Sequence, residues 1–295
     1  MADEDALRTA VRLGTSVDAL AALAAHVRVE TEQLPADPAV RQLLTAIAAE
    51  LLGPEGAVDP ATAAPVVGLA RTFLRQAGEL VENPGRSGGW DQVDVPLLQS
   101  VGRLSMGISG AVQVAERRLP DLGDRLAGPD ARFLDVGTGT GWLAIAIAQA
   151  HPTLHVVGVD IFEPALDLAR TNVKGAGLTD RIELRMQDAA LLDEPDGYDA
   201  IWLALPFLPK DVVVPIMDAA ARSLKPGGWL LPGTFAGPGD RLSELLTDLR
   251  TVRSGGHPWR PEEIVDLMAT AGLADAQEIP RTWPAPVRLY AGLRR

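Results

Sequence analysis

Cysteine is absent from the 295 residues, which excludes a disulfide scaffold, thiolate catalysis and thiolate metal sites. Aromatic residues make up only 4% of the chain. Basic residues are outnumbered: 27 Lys and Arg against 39 Asp and Glu give a formal net charge of −12. Phosphate binding needs a basic surface, so no nucleic-acid partner is expected. Long apolar runs are also missing, because Gly, Pro or a charge interrupts each one, and no membrane span is expected. The opening residues, MADEDALRTAVRLG, lack the basic-then-apolar order of a secretory leader, and a cytoplasmic location is expected. Asp240, Glu244 and Asp248 stand at helical i, i+4 spacing, which reads as a solvated face rather than a ligand set, and no metal site is expected.

What is present is a globular composition, 47% hydrophobic with mixed charge, in two regions. Residues 1–120 are rich in Ala and Leu and read as helices, with an apolar stripe through Leu7, Val11, Val17, Leu20, Leu23 and Val27. A helix over 38–52 ends at Gly53-Pro54, and another opens after Asp59-Pro60. NPGRSGGWD, residues 83–91, is the clearest loop of this half, and two helical stretches follow at about 93–105 and 107–119. From residue 131 onward, short β-branched runs alternate with helical segments, which predicts an α/β domain with a parallel sheet covered on both faces. The last two predicted strands, in GLADAQEIP and PVRLYAGLRR, are too close for a helical crossover and should pair antiparallel. The expected division is a helical domain over 1–120 and a ligand-binding domain over 121–295.

The chemistry concentrates in FLDVGTGTGWLAIAIA, residues 133–148. After a strand, Gly137, Gly139 and Gly141, with Thr138 between the first two, let the backbone approach a ligand closely, and the following helix offers free N–H groups. A dinucleotide fingerprint wants a small residue where Trp142 stands, and no Gly-Lys-Ser/Thr follows for a phosphate loop. Asp160 closes the second strand, where a carboxylate can accept both ribose hydroxyls, and Asp188 closes the third, placed to accept from an adenine amine. With Asp135, three acids line this edge and no basic residue joins them, which favours a cationic nucleoside over a triphosphate.

FLDVGTGTG, VVGVDIFEPALDLAR, RMQDAALL, YDAIWLALPF and LKPGGWLLPG, in this order and spacing, resemble the class I S-adenosylmethionine-dependent methyltransferases, of the small-molecule type with an N-terminal helical region. The resemblance implies a Rossmann-like seven-stranded sheet of order 3-2-1-4-5-7-6 with its last strand antiparallel. It also implies S-adenosyl-L-methionine as cofactor, leaving as S-adenosyl-L-homocysteine. The cofactor would be held by Asp135, Gly137, Thr138, Gly139, Gly141, Asp160, Ile161, Asp188, Ala189 and the backbone of Leu203. Asp135 would orient either the loop or the methionyl amine. Trp142 would either flank the methionyl tail or pack in the core.

Expected acceptor contacts are Trp90 and Met106 in a lid-like stretch, Phe207 just past the fourth strand, and Trp259. A general base is sought among four histidines. His151 and His155 fall at the opposite edge of the sheet and His26 on an N-terminal helix, which leaves His257. His257 reaches the ligand edge only if helix 261–271, rather than 240–253, is the crossover into the sixth strand. The implied activity is methyl transfer to an oxygen, carbon or nitrogen of a small, largely apolar acceptor, in natural-product metabolism by family analogy. The expected assembly is a homodimer through the N-terminal helices. The alternatives are a protein of this fold that binds the cofactor without transferring methyl, as a cyclase, or a non-catalytic partner.

Overall fold

The computed structural model describes residues 2–53, 58–89, 95–237 and 239–295. They form two compact units, Met1–Pro84 and Gly85–Arg295. The first unit is helical: α1 (Ala2–Thr31), α2 (Pro38–Leu52) and α3 (Pro60–Glu82). Asp37 caps α2 by accepting from the amides of Ala39 at 2.9 Å and Val40 at 3.3 Å, with Pro38 at the first helical position. Val27 of α1 and Ala63 and Val67 of α3 form a small core. The expectation that no segment is long and apolar enough to cross a membrane does not hold for α1. By length and composition alone, Asp5–Thr31 qualifies, with a mean hydropathy of 1.2. The charges at Arg12 and Asp18 stand singly among Ala, Leu and Val and do not break the run.

The second unit opens with α4 (Val95–Ser105), α5 (Ile108–Glu116) and α6 (Leu122–Leu126), then β1 (Arg132–Val136), α7 (Trp142–Ala150), β2 (His155–Asp160), α8 (Glu163–Gly175), β3 (Ile182–Met186) and β4 (Tyr198–Ala204). It continues with α9 (Lys210–Ser223), β5 (Leu224–Phe235), α10 (Arg241–Arg253), α11 (Pro261–Thr270), β6 (Ala274–Ile279) and β7 (Val287–Leu293). The compact units thus divide earlier in the chain than the expected boundary at residue 120. The physical reason is that α4 and α5 spend their apolar faces on α7 and the sheet: Leu97, Leu98, Ala111, Val112 and Ala115 are buried.

The seven strands lie in the order β3-β2-β1-β4-β5-β7-β6. Strands β1 to β5 are parallel, and β7 runs antiparallel to both β5 and β6. Side chains alternate across the sheet. Phe133, Val156, Ala200, Trp202 and Trp229 join α5, α6 and α7 on one face. Leu134, Val157, Ile201, Leu203 and Leu230 join α9 and α11 on the other. With both faces covered, the central strands carry no solvent-facing polar row, which is why they read as continuous apolar runs. At the edge where the parallel strands begin, Asp199 accepts from the Arg132 amide at 2.9 Å and from Lys225 at 2.6 Å. His151 and His155 lie at that edge too, away from the glycine turn.

Candidate active site

The register of the sheet gathers the site. Val136 lies level with Val159 of β2 and Leu203 of β4, so the glycine turn, Asp160 and the residues after Ala204 share one edge. The turn is hung on β2, the Val159 carbonyl accepting from the amides of Gly137 at 2.9 Å and Thr138 at 3.1 Å. Gly137, Gly139 and Gly141 have φ of 74°, 54° and 78°, left-handed values that a side chain disfavours. At Gly139 an added Cβ would meet no protein atom within 4 Å, so the space beside it is open to a ligand. At Gly141 it would lie 3.1 Å from the Ala169 Cβ, so this glycine also lets α8 approach.

Asp160 ties the turn to the second strand. Its Oδ2 accepts from the Gly139 amide at 2.8 Å and its Oδ1 from the Phe162 amide at 2.9 Å. Each oxygen retains acceptor capacity for a hydroxyl. Burial raises its pKa, and the backbone amides of Phe162 and Gly139 oppose the shift. Beside it, Ile161 is 70% exposed, an apolar side chain at the mouth of the turn. Asp188 is exposed at the end of β3; its Oδ1 accepts from the Ala190 amide at 2.9 Å and caps the short 3₁₀ turn Ala189–Leu191, in which Ala189 is buried. Asp135 is 1% exposed, and its Oδ2 accepts from the Thr138 hydroxyl at 2.8 Å. Burial pushes its pKa up to about 7 against the Thr138 hydrogen bond, and the nearby Asp160 charge raises it further. That geometry is the loop-orienting arrangement. Leu203 is fully buried on β4.

The opposite half of the edge lies beyond β4 and β5. Phe207, in the 3₁₀ turn Leu205–Phe207, meets Phe235, the last residue of β5, edge to face with centroids 5.7 Å apart. The loop 254–259 abuts this turn: a Cβ on Gly256 would lie 2.3 Å from the Pro206 carbonyl oxygen. Since α11 leads into β6, His257 lies on the ligand edge. Its imidazole stacks edge-on against Trp259 at 4.5 Å. Burial, then the Lys210 charge, lowers its pKa, which favours the neutral ring. Met106 stands in the turn between α4 and α5, where Gly107 faces Ala285 beside the end of β5. Trp90 lies outside the described residues. The loop before it rests on the same region, with the Gly89 amide donating to the Arg253 carbonyl at 3.4 Å.

Besides Phe235, four further residues that were not expected adjoin this edge. Gln99 of α4 accepts from the Trp142 indole at 2.7 Å and exchanges hydrogen bonds with Asn172 of α8, which donates to the Thr140 carbonyl at 2.8 Å. Trp142 is thereby a clamp on the glycine turn rather than a pure core residue. Gly102 of α4 comes so close that a Cβ there would sit 1.9 Å from the Thr140 hydroxyl. On α10, the Arg250 guanidinium lies 5.8 Å from the Phe235 ring centroid. The i, i+4 acids of that helix are otherwise engaged: Asp240 caps it through the Ser243 amide, and Asp248 holds Arg260 at 2.8 Å.

The geometry has counterparts among known proteins. A family model described as a methyltransferase domain matches residues 133–228. The release factor glutamine methyltransferase of Rhodopirellula baltica is 37% identical over 130 residues, 43% of this chain and 43% of that protein. The demethylmenaquinone methyltransferase of Thermus thermophilus is 35% identical over 155 residues, 48% of this chain and 70% of that protein. The chain spans about half the length of the first curated relatives it matches. The structure of an O-methyltransferase family protein from Burkholderia thailandensis superposes with a TM-score of 0.66 at 18% identity, covering 100% of this chain and 98% of that one.

Proposed function

Because the chain belongs to the S-adenosylmethionine-dependent methyltransferases, we propose that it transfers a methyl group to a small, largely apolar acceptor. The observation that carries this reading is the bond between the Gly139 amide and Asp160, which fixes the glycine turn and a ribose-binding carboxylate as one unit. The residues fit the cofactor. Gly139 offers open space beside the turn for the methionyl and ribose portion, Gly137, Thr138 and Gly141 shape the turn around it, and Asp160 offers its spare lone pairs to the ribose hydroxyls. Ile161, Ala189 and Asp188 frame an adenine, and Leu203 lies below the amino-acid end. Asp135 acts through Thr138 to hold the turn.

S-adenosylmethionine, when bound, supplies an electrophilic methyl on a sulfonium. The chain's own residues position the acceptor and exclude water. Phe207 and Phe235 present an apolar wall beyond the strand ends, and Met106 and Trp259 border the same edge. Pro206 and Phe207 occupy the place just past β4 without a titratable side chain, and His257 is the one described histidine on this edge. An acceptor that ionises readily needs only alignment and desolvation, which supply effective molarities on the order of 10⁵–10⁸ M in favourable cases. Natural-product tailoring in the cytoplasm is the setting that fits a small acceptor.

The assembly is a homodimer through the N-terminal helices, supported by α2, where Val40, Leu43, Ile47 and Leu51 form one exposed apolar stripe. Incubation with methyl-labelled S-adenosylmethionine and a panel of phenols, carboxylic acids, amines and enols tests the reading. Label is expected in a small product. Cofactor binding with the methyl left intact across the whole panel would refute it.

A further inference from the structure

The far end of α7, away from the glycine turn, holds a buried ion pair that methyl transfer does not use. His151 caps that helix and is 9% exposed. Its Nδ1 lies 3.1 Å from the Ile147 carbonyl oxygen, and its Nε2 lies 3.0 Å from Oε1 of Glu116, the last residue of α5. A carbonyl oxygen only accepts, so Nδ1 carries a hydrogen. A neutral imidazole has one N–H, and Ile147 takes it. Nε2 and the Glu116 carboxylate would then face each other as two acceptors at hydrogen-bond distance. A second proton, held by the pair, removes that conflict. Glu116 Oε1 is buried and has no other donor, so loss of that proton leaves a buried carboxylate oxygen unpaired. The hydrogen bond with Glu116 raises the pKa of His151, and burial opposes the shift. Among the described residues, the other charged group that meets His151 is Arg181, just ahead of β3. Its Nη1 donates to the carbonyls of Ala148 at 2.7 Å, His151 at 3.0 Å and Leu154 at 3.4 Å.

We propose that His151 and Glu116 form a proton-operated latch that fastens α5 to the C-terminal end of α7 and, through α4, tightens the cover of the glycine turn. The latch itself is independent of the methyltransferase reading; its effect on the cofactor rests on that reading. Both α4 and α5 pack on α7. α5 follows α4 after the turn at Met106 and Gly107. α4 lies on the glycine turn through Gly102 beside Thr140 and through Gln99 on Trp142, the first residue of α7. α7 therefore meets the pair at one end and the clamp at the other. Once the proton is lost, the Glu116 contact turns repulsive, the last turn of α5 loosens, and α4 loses part of its support. Because the folded pKa of His151 is raised, the pair stabilises the fold fully below the unfolded value of 6.5. That stability is lost as pH rises through the folded value, so the latch opens on the alkaline side.

The test follows the histidine ring nitrogens of the full chain by long-range proton–nitrogen NMR across about pH 5–9, with His151→Gln assigning the signal. The wild-type His151 is expected to keep both ring N–H groups to a pH above 6.5. Glu116→Gln, which keeps the shape and removes the charge, is expected to lower that midpoint. Amide exchange along α5 is the second readout. As His151 loses its proton, wild-type protection at the end of α5 is expected to fall about tenfold relative to Glu116→Gln, the worth of one hydrogen bond to a charged group. Over the same pH interval, the affinity for S-adenosylhomocysteine is expected to fall about threefold or more relative to Glu116→Gln. Asp135 titrates in both proteins and cancels from these ratios. His155→Gln, exposed at the same edge, is expected to match the wild type throughout. A His151 midpoint at or below 6.5, a midpoint unmoved in Glu116→Gln, or α5 protection that keeps a constant ratio between the two proteins overturns the latch. A constant ratio of S-adenosylhomocysteine affinities overturns its link to the glycine turn. If S-adenosylhomocysteine binds neither protein while the midpoint and the α5 protection behave as expected, the methyltransferase reading fails and the latch stands.

Discussion

At Asp135, burial and hydrogen bonding pull in opposite directions and burial wins, raising the pKa to about 7. The sign of the consequence is fixed. Below the unfolded value of 3.8 both states hold the proton and the stability is fully present. As pH rises toward 7 the unfolded chain has lost its proton while the folded chain keeps it, so stability falls by up to about 1.4 kcal/mol per pH unit. Asp135→Asn is therefore expected to melt progressively higher than the wild type as pH goes from 4 to 7, with no further gain above that. Melting curves across this range check it, and a constant offset contradicts it. Gly139 makes a complementary case. A side chain there costs about 1 kcal/mol of backbone strain but meets no protein atom. Gly139→Ala should then lower the melting temperature by a few degrees yet weaken S-adenosylhomocysteine at least tenfold, because the methyl would fill the ligand's space. Calorimetry and thermal melting on the same preparation separate the two effects.

Elements convert those residues into a site. α4 reaches the glycine turn because Gly102 has no side chain, and Gln99 and Asn172 then bind the turn from two helices. Gly102→Ala is expected to destabilise the protein by roughly 1–3 kcal/mol by overpacking and to weaken cofactor binding. Gly110→Ala on α5, with nothing within 4 Å of its Cβ, should be neutral or stabilising by up to about 1 kcal/mol. Urea denaturation of both variants tests the contrast. The sequence made the strands, the glycine turn and Asp160 readable, because alternation, glycine spacing and strand-end acids are local patterns. It hid the clamp, since Gln99 and Asn172 are 73 residues apart and neither carries a local signature. Likewise the start of β5 at Leu224 rests on a distant partner, since Gly227 and Gly228 exchange hydrogen bonds with Arg294, the residue just after β7. Phe235 was accessible to the rule that ligands sit at strand ends; Arg250 was masked by the acids sharing its helix.

On the scale of the whole molecule, the chain divides into two compact units. The first presents the α2 stripe, and Leu43→Glu with Ile47→Lys is expected to turn a dimer into a folded monomer in sedimentation equilibrium; a monomeric wild type contradicts the assembly. The second carries the complete set of candidate ligand contacts among the described residues. The most direct measurement is calorimetric titration of the purified chain with S-adenosylhomocysteine, alongside Asp160→Asn. One saturable site per chain, weakened about tenfold or more in Asp160→Asn while the fold is retained, is the expected result. No saturable binding, or binding untouched by the substitution, would contradict the account.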